Sequence, residues 1–301
     1  MADDLSHPMD DFPVRPLQFE VSKLDASSRL WSRTCPEFSM FVNALGIHVP
    51  YFERYLVRTM TRAKAVIESP SLRRDMVAIS GQEAHHAKNF IAYNQYLATQ
   101  YPRVAAFEAE ARTYFSDRAK RDSLKQMVAF SAGYETFTFL GGMIVLDNHA
   151  RWFEDADPTV KALWVWHQVE EVEHGAVAFE VYQHLYGRQE LYRKWNVLTA
   201  LLHIAKETLR AYVHMAKVEG WFRNPFRGLW KTGFCVLMLC RFVRAALPVF
   251  SRSYHPRRHP FVTQRQNPIQ IAWRRYERKG GDVLEIDRHK MQESMGIQPE
   301  A

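Results

Sequence analysis

The sequence predicts an all-α protein: a four-helix bundle with a long crossover between its second and third helices, plus additional C-terminal helices. Three observations carry this. Apolar residues recur at steps of three and four over long stretches, and no alternating runs bounded by hairpin turns interrupt them. Two Glu-x-x-His tetrapeptides, Glu83 to His86 and Glu171 to His174, sit inside such stripes. A single glutamate interrupts the stripe preceding each of them, Glu53 and Glu135.

Taken in order, residues 1–37 begin MADDLSHPMDDFPVRP, acidic and proline-bearing, which fits neither a signal nor a transit peptide. They are expected to be a flexible tail that becomes ordered near Phe38. The first bundle helix is HVPYFERYLVRTM, with Pro50 in its first turn and Glu53 interrupting the row Val49, Leu56, Met60. The second opens at Ser69-Pro70 and closes at Tyr101-Pro102. Its inward stripe runs Leu72, Met76, Ile79, Glu83, His86, Phe90, Tyr93, Leu97, which leaves His85 on the neighbouring face as a solvent-side or structural residue. The stretch from Pro102 to Arg121 is long for a helix–helix turn and supplies the crossover. In the third helix Glu135 interrupts Val128, Ser131, Phe139 and Gly142, and no other acid lies between Asp122 and Asp147. The fourth is capped by Asp157-Pro158 and expected to run unbroken to Gly187. His167, Glu171 and His174 share its stripe with Ala178, Val181 and Leu185, while Glu170 and Glu173 fall toward its flanks. The bundle therefore covers residues 38–187, and a basic helical extension, 188–301, packs on it.

Buried ionised groups are paired or bind metal. One Glu-x-x-His is weak evidence, because a solvent-facing helix carries it by accident. Two copies with two lone inward glutamates, in the order Glu, Glu-x-x-His, Glu, Glu-x-x-His, match the ligand pattern of ferritin-like di-metal bundles. Glu53, Glu83, His86, Glu135, Glu171 and His174 are accordingly the expected metal ligands and catalytic groups; unrelated buried polar pairs are the alternative. Four carboxylates offset the charge of two divalent ions, so the cluster can be buried near neutrality. The oxygen-rich set favours two iron ions, then manganese, with zinc less suited. His167 is either a hydrogen-bond donor to a ligating glutamate or a satisfied core histidine. Tyr93 and Tyr134 become redox neighbours only where they lie near the ions. Ser131, Ala132, Gly133, Gly141 and Gly142 leave room for substrate or allow close helix packing.

The segments ALWVWHQVEEVEHGAVAFEVY (162–182), GQEAHHAKNFIAYN (81–94), VPYFERYLVRTM (49–60) and SYHPRRHP (253–260) together resemble the predicted metal-dependent hydrolases, a ferritin-like group found mainly in bacteria. The resemblance covers about residues 12 to 280 and implies the same six ligands. The chain departs from the family pattern at Phe52, where a glycine is usual, and at Thr136 and Phe90, where histidines are common. None of these positions is one of the six.

The ligand set suits dioxygen activation, so oxidation of a small or lipid-like organic substrate is the favoured chemistry. The alternative is hydrolysis, in which the ions polarise a carbonyl or phosphoryl group and supply a hydroxide. Non-enzymatic metal storage or ferroxidase activity is a third reading, and the long C-terminal third works against the cage packing it needs.

Residues 188–301 hold 21 Lys and Arg against 9 Asp and Glu, a net of +12, so within the overall +7 the first 187 residues carry −5. No zinc knuckle, base-reading basic helix or glycine-clamped loop accompanies this charge, so nucleic acid is not an expected partner. Within Phe226–Phe250 the apolar run Gly233–Cys240 is too short to span a bilayer, and Arg241 and Arg244 break it. The segment reads as an amphipathic helix, either packed on the core or making peripheral membrane contact. His255 and His259, each followed by proline, belong to a rigid turn. A helix is expected around Ile269–Arg278. Three cysteines, Cys35, Cys235 and Cys240, give no disulfide framework, which fits a reducing cytoplasm, so a cytoplasmic protein is expected, membrane-associated where Phe226–Phe250 makes peripheral contact. A homodimer is compatible with the sequence.

Overall fold

Helix starts fall where capping chemistry places them. In a computed structural model, which describes residues 9–10, 12–263 and 268–285, every regular element among the described residues is helical. The α-helices are α1 (Pro36–Gly46), α2 (Val49–Lys64), α3 (Pro70–Gln100), α4 (Val104–Arg121), α5 (Leu124–Asp147), α6 (His149–Phe153), α7 (Pro158–His174), α8 (Val177–Tyr186), α9 (Glu190–Val218), α10 (Pro225–Ala246), α11 (Pro260–Thr263) and α12 (Pro268–Arg278). The Asp157 carboxylate accepts from the Thr159 and Val160 amides at the start of α7, and Ser69 accepts from Leu72 at the start of α3. Ser123 and Gln126 form a reciprocal capping box that opens α5.

α2 packs along α3 and α5, α5 packs along α7, and α3 meets α7 and α8, so these rows close a ring. All eight stripe positions expected in α3, Leu72 to Leu97, are buried. The stretch expected to be the crossover forms a helix, α4, laid on α2 and α3, and it buries Val104, Phe107 and Phe115. α9 packs on α5 and α1, and α10 packs on α1, α5 and α9.

Two expectations are corrected. The helix opened by Pro158 does not continue to Gly187: it ends at His174, turns through Gly175-Ala176 and restarts as α8. The break coincides with a close approach of two helices. A Cβ at Gly175 would stand 2.8 Å from the ring of Phe139 on α5, so only glycine allows that approach. The segment before Phe38 is also not a free tail. Phe12, Phe19, Val21 and Trp31 are buried, and short 3₁₀ turns form at Val21–Lys23 and Ala26–Leu30. The Trp31 indole donates to Asn43 Oδ1 of α1 at 3.0 Å. Prolines and acids disguised an apolar strap. Residues 1–8 of that expected tail, and 286–301 of the C-terminal extension, lie outside the described residues.

α7 is buried on every side: each residue from Val160 to His174 is buried. α5 and the 225–250 segment are both long and apolar enough to cross a membrane by length and composition. α5 is a core helix of the bundle. α10 instead packs one side inward, through Cys235, Met238, Phe242, Ala245 and Ala246.

Candidate metal centre

All six expected ligands are brought together, and none is more than 2% exposed. Glu53 comes from α2, Glu83 and His86 from α3, Glu135 from α5, and Glu171 and His174 from the last turn of α7. One turn of helix separates the members of each Glu-x-x-His pair, so both side chains project to the same side.

Two sets of four donors form, each with its ligand atoms within 4.8 Å of one another: Glu53, His86, His167 and Glu171, and Glu83, Glu135, Glu171 and His174. Glu171 belongs to both. Its Oε1 lies 3.6 Å from His86 Nδ1 and its Oε2 3.3 Å from His174 Nε2. Glu83 makes the same reach, with Oε2 at 3.5 Å from His86 Nδ1 and Oε1 at 3.1 Å from His174 Nε2. Glu53 stands 3.9 Å from His86 on one side, and Glu135 3.4 Å from His174 on the other.

The outer hydrogen bonds fix which imidazole nitrogen faces the centre. His86 Nε2 meets Glu170 Oε2 at 2.8 Å; a carboxylate only accepts, so Nε2 carries a proton and Nδ1 is the nitrogen that faces the centre. His174 Nδ1 donates to Gln82 Oε1 at 2.8 Å, which leaves Nε2 free to ligate. The Gln82 amide cannot be reversed, because its Nε2 donates to Glu173 Oε2 at 3.1 Å and to Pro13 O at 2.9 Å. His167 is oriented the other way. Gln168 Nε2 donates to its Nδ1 at 2.7 Å, so its Nε2–H points at Glu171 Oε1, 3.0 Å away, and at Glu53 Oε1, 3.4 Å away. Of the two roles expected for His167, donor to a ligating glutamate is the one this geometry favours.

Several buried atoms of the centre have no hydrogen-bond partner: Glu53 Oε2, both oxygens of Glu83, His86 Nδ1 and Glu135 Oε2. Glu83 and His174 are close without the alignment of a hydrogen bond. A buried orphan of this kind costs about 1–3 kcal/mol, and these orphans converge on one volume. A cation there satisfies all of them, so the residues fit a metal site, with hard donors and no thiolate.

The electrostatics agree. Burial pushes the Glu53 carboxyl up to about 7 and Glu135 well above the ordinary range, the latter aided by Glu83 and Glu171. Burial also works against ionised Glu171, but His167 and His174 outweigh it and hold that carboxyl well below its usual value. Burial would neutralise His86 and His174, yet Glu170 and Glu83 around the first, and Glu171 and Glu83 around the second, raise both well above an ordinary histidine. Protons take the place that metal charge would fill.

Sequence reasoning missed the layer behind the ligands. Glu170 and Glu173, expected on the flanks of α7, are fully buried. Arg15 reaches them from the N-terminal strap: Nη1 lies 2.9 Å from Glu170 and 2.8 Å from Glu173, and Nη2 lies 2.9 Å from the other Glu173 oxygen. Arg15 Nε bonds Glu277 of α12 at 2.7 Å, its guanidinium lies over Trp273, and Arg274 approaches Glu173 at 3.4 Å. The signal available in sequence was two extra acids in a helix with no nearby counter-charge.

The remaining candidates resolve as follows. His85 is half-buried and joins neither donor set. Tyr93 donates to Asn43, and the Tyr134 hydroxyl pairs with His203 at 3.2 Å. Gly133 and Gly142 serve close packing, since a Cβ would meet Asn196 O at 2.6 Å or Gln168 O at 3.0 Å, whereas Gly141 lines a cavity. His255 caps the turn Pro256–Arg258, and His259 donates to Ala245 O at 3.0 Å, as a rigid turn requires.

No curated protein and no solved structure matches the chain. Residues 13–260, most of the 301, match the family described as predicted metal-dependent hydrolase, and the chain belongs to that family.

Proposed function

We propose that the chain is a carboxylate-bridged di-metal enzyme on a ferritin-like bundle, that it holds two iron ions, and that it uses dioxygen to oxidise a small or lipid-like organic substrate. The observation that carries this reading is that Glu171, common to both donor sets, and Glu83 each reach from His86 to His174. Each offers one oxygen toward His86 and the other toward His174, as a carboxylate does between ions about 3.5–4 Å apart. Glu53 and His86 complete one position, Glu135 and His174 the other. When bound, ferrous ions supply the electrons that reduce dioxygen.

The chain's own residues give the oxidative reading its preference. A narrow cavity of about 40 Å³ lies beside the centre, and His167 and Thr138 both line it. His167 touches Glu53 and Glu171, and the Thr138 hydroxyl is 3.4 Å from Glu135 Oε1. Its other walls include Leu45, Val49, Phe137, Trp164, Ile204 and Phe242. Such walls exclude water and admit an apolar group, and none of the lining residues is a lysine or arginine that would hold a phosphoryl group. The family description favours hydrolysis, which remains the second reading.

Protein from iron-supplemented cells is expected to carry about two iron ions per chain. The reduced protein should then take up dioxygen and convert an aliphatic substrate. Ester cleavage by the manganese- or zinc-loaded protein, with no dioxygen uptake by the ferrous form, would establish hydrolysis instead. Iron oxidation without any organic product would make it a ferroxidase.

A further inference from the structure

We propose that the outer face of α10 and the turn that follows it, Phe226 to Phe250, docks on an anionic lipid membrane, with the helix lying in the plane of the surface. This rests on the surface of the molecule alone, independently of the metal reading.

At 3.6 residues per turn, Phe226, Leu229, Trp230, Val236, Leu237 and Val243 fall within an arc of about 140°. All six are exposed; Phe226 and Trp230 are about 85% accessible (84% and 85%) and Leu229 72%. Gly233 and Cys240 lie in the same arc, and Leu247 continues it. Arg244 alone interrupts it. A soluble helix turns its polar side to water, yet here the water-facing side is the apolar one and the stripe runs the full length of the helix, about 33 Å. Large aromatic and aliphatic side chains on one face, flanked by arginine, are the composition of a helix that lies in a lipid interface.

Charge selects the occupant. From Gly220 to Tyr276 the chain contains no aspartate or glutamate, against eleven lysines and arginines. Arg223 and Arg227 are exposed at the start of the stripe, Arg244 near its end, and Arg252 and Arg258 beyond it. Two hollows adjoin it. One, of about 680 Å³, is lined by Phe226, Leu229, Trp230 and Arg151, with Lys231 paired to Glu37; the other, of about 290 Å³, by Arg241 and Arg244 with Asp147 at its wall. A second copy docking by this same face would set arginine against arginine, because a two-fold contact pairs a patch with itself and the acids beside it are few: Glu37, already held by Lys231, and Asp147. Anionic headgroups supply the missing charge while the acyl region takes up the apolar side chains.

The test is flotation of the full chain with vesicles of phosphatidylcholine alone and of phosphatidylcholine mixed with phosphatidylglycerol. Binding to the mixed vesicles is expected to exceed binding to the neutral ones by at least about tenfold and to weaken as salt is raised. The double variant Trp230→Glu/Leu237→Glu should lose this binding, and Arg223→Glu/Arg227→Glu should reduce it severalfold. Since all four side chains point outward, near-UV circular dichroism of both variants should match the parent. Failure to float with the mixed vesicles, equal binding to both vesicle types, or binding untouched by Trp230→Glu/Leu237→Glu would each overturn the proposal. So would light scattering that shows a dimer which this variant splits while vesicle binding is absent, because the face would then belong to a second copy.

Discussion

The inside of α7 and the outside of α10 depart from ordinary burial in opposite directions. α7 carries His167, Glu170, Glu171, Glu173 and His174 in a fully enclosed environment, whereas α10 turns Phe226, Leu229 and Trp230 to the outside. The first arrangement leaves orphaned polar atoms and the second leaves uncovered apolar area. Each is unfavourable for an isolated chain and tolerable with an appropriate partner: a cation cluster for one, an apolar and anionic medium for the other. The lesson is that a residue in the wrong environment identifies its partner by the property that is left uncompensated.

The largest effect is expected at Glu171. Glu171→Ala removes the carboxylate common to both donor sets and strands His167 and His174, so metal analysis should show nearly complete loss of bound ions. Glu135→Ala, which empties one set only, should retain part. Full metal content in Glu171→Ala would end the idea that the interior of α7 is compensated by metal.

Next in size is Arg15→Met. It leaves Glu170 and Glu173 buried without their principal counter-charge, and denaturant unfolding should register a loss of about 3–5 kcal/mol. Because Glu170 and, through Gln82, Glu173 orient His86 and His174, metal affinity should also fall by about 10- to 100-fold. Arg15→Lys keeps the charge but not the fork and should recover only part of either effect.

His48 is a buried histidine outside the centre and serves as an internal control. It is buried with an unpartnered Nε2, yet burial, with His203 nearby, pushes it down to about 3, so it is neutral in the folded protein. In the unfolded chain it takes up a proton below about 6.5, so protonation favours unfolding and stability falls as pH drops from there toward 3. Urea melts should show the parent losing up to about 2 kcal/mol more than His48→Gln between pH 6.5 and pH 5. An equal loss in both would place the acid sensitivity elsewhere. The smallest effect belongs to the outer surface: Trp230→Glu should alter unfolding free energy by no more than about 0.5 kcal/mol, and a larger drop would mean that this face packs against the fold.

The proposed ligands were legible because they interrupt stripes whose period is local. Glu83 and His86 stand between Ile79 and Phe90 at steps of three and four, and that spacing alone puts them inside. Glu170 and Glu173 were misplaced for a related reason. A helical wheel assumes one buried face, whereas α7 is covered all round by the N-terminal strap and by residues near α12. Arg15 was illegible because its partners lie 155 and 158 residues away, and no period links them. The break at Gly175 left no mark either, since its glycine keeps a helical backbone and is required only by the Phe139 ring.

The clamp on Arg15 has a consequence for the order of folding. Its acceptors lie 155, 158 and 262 residues further along the chain, so each costs a long loop closure before it contributes anything. The strap and α12 therefore settle on α7 from segments far apart in sequence, and loosening either weakens the hold on the same buried acids.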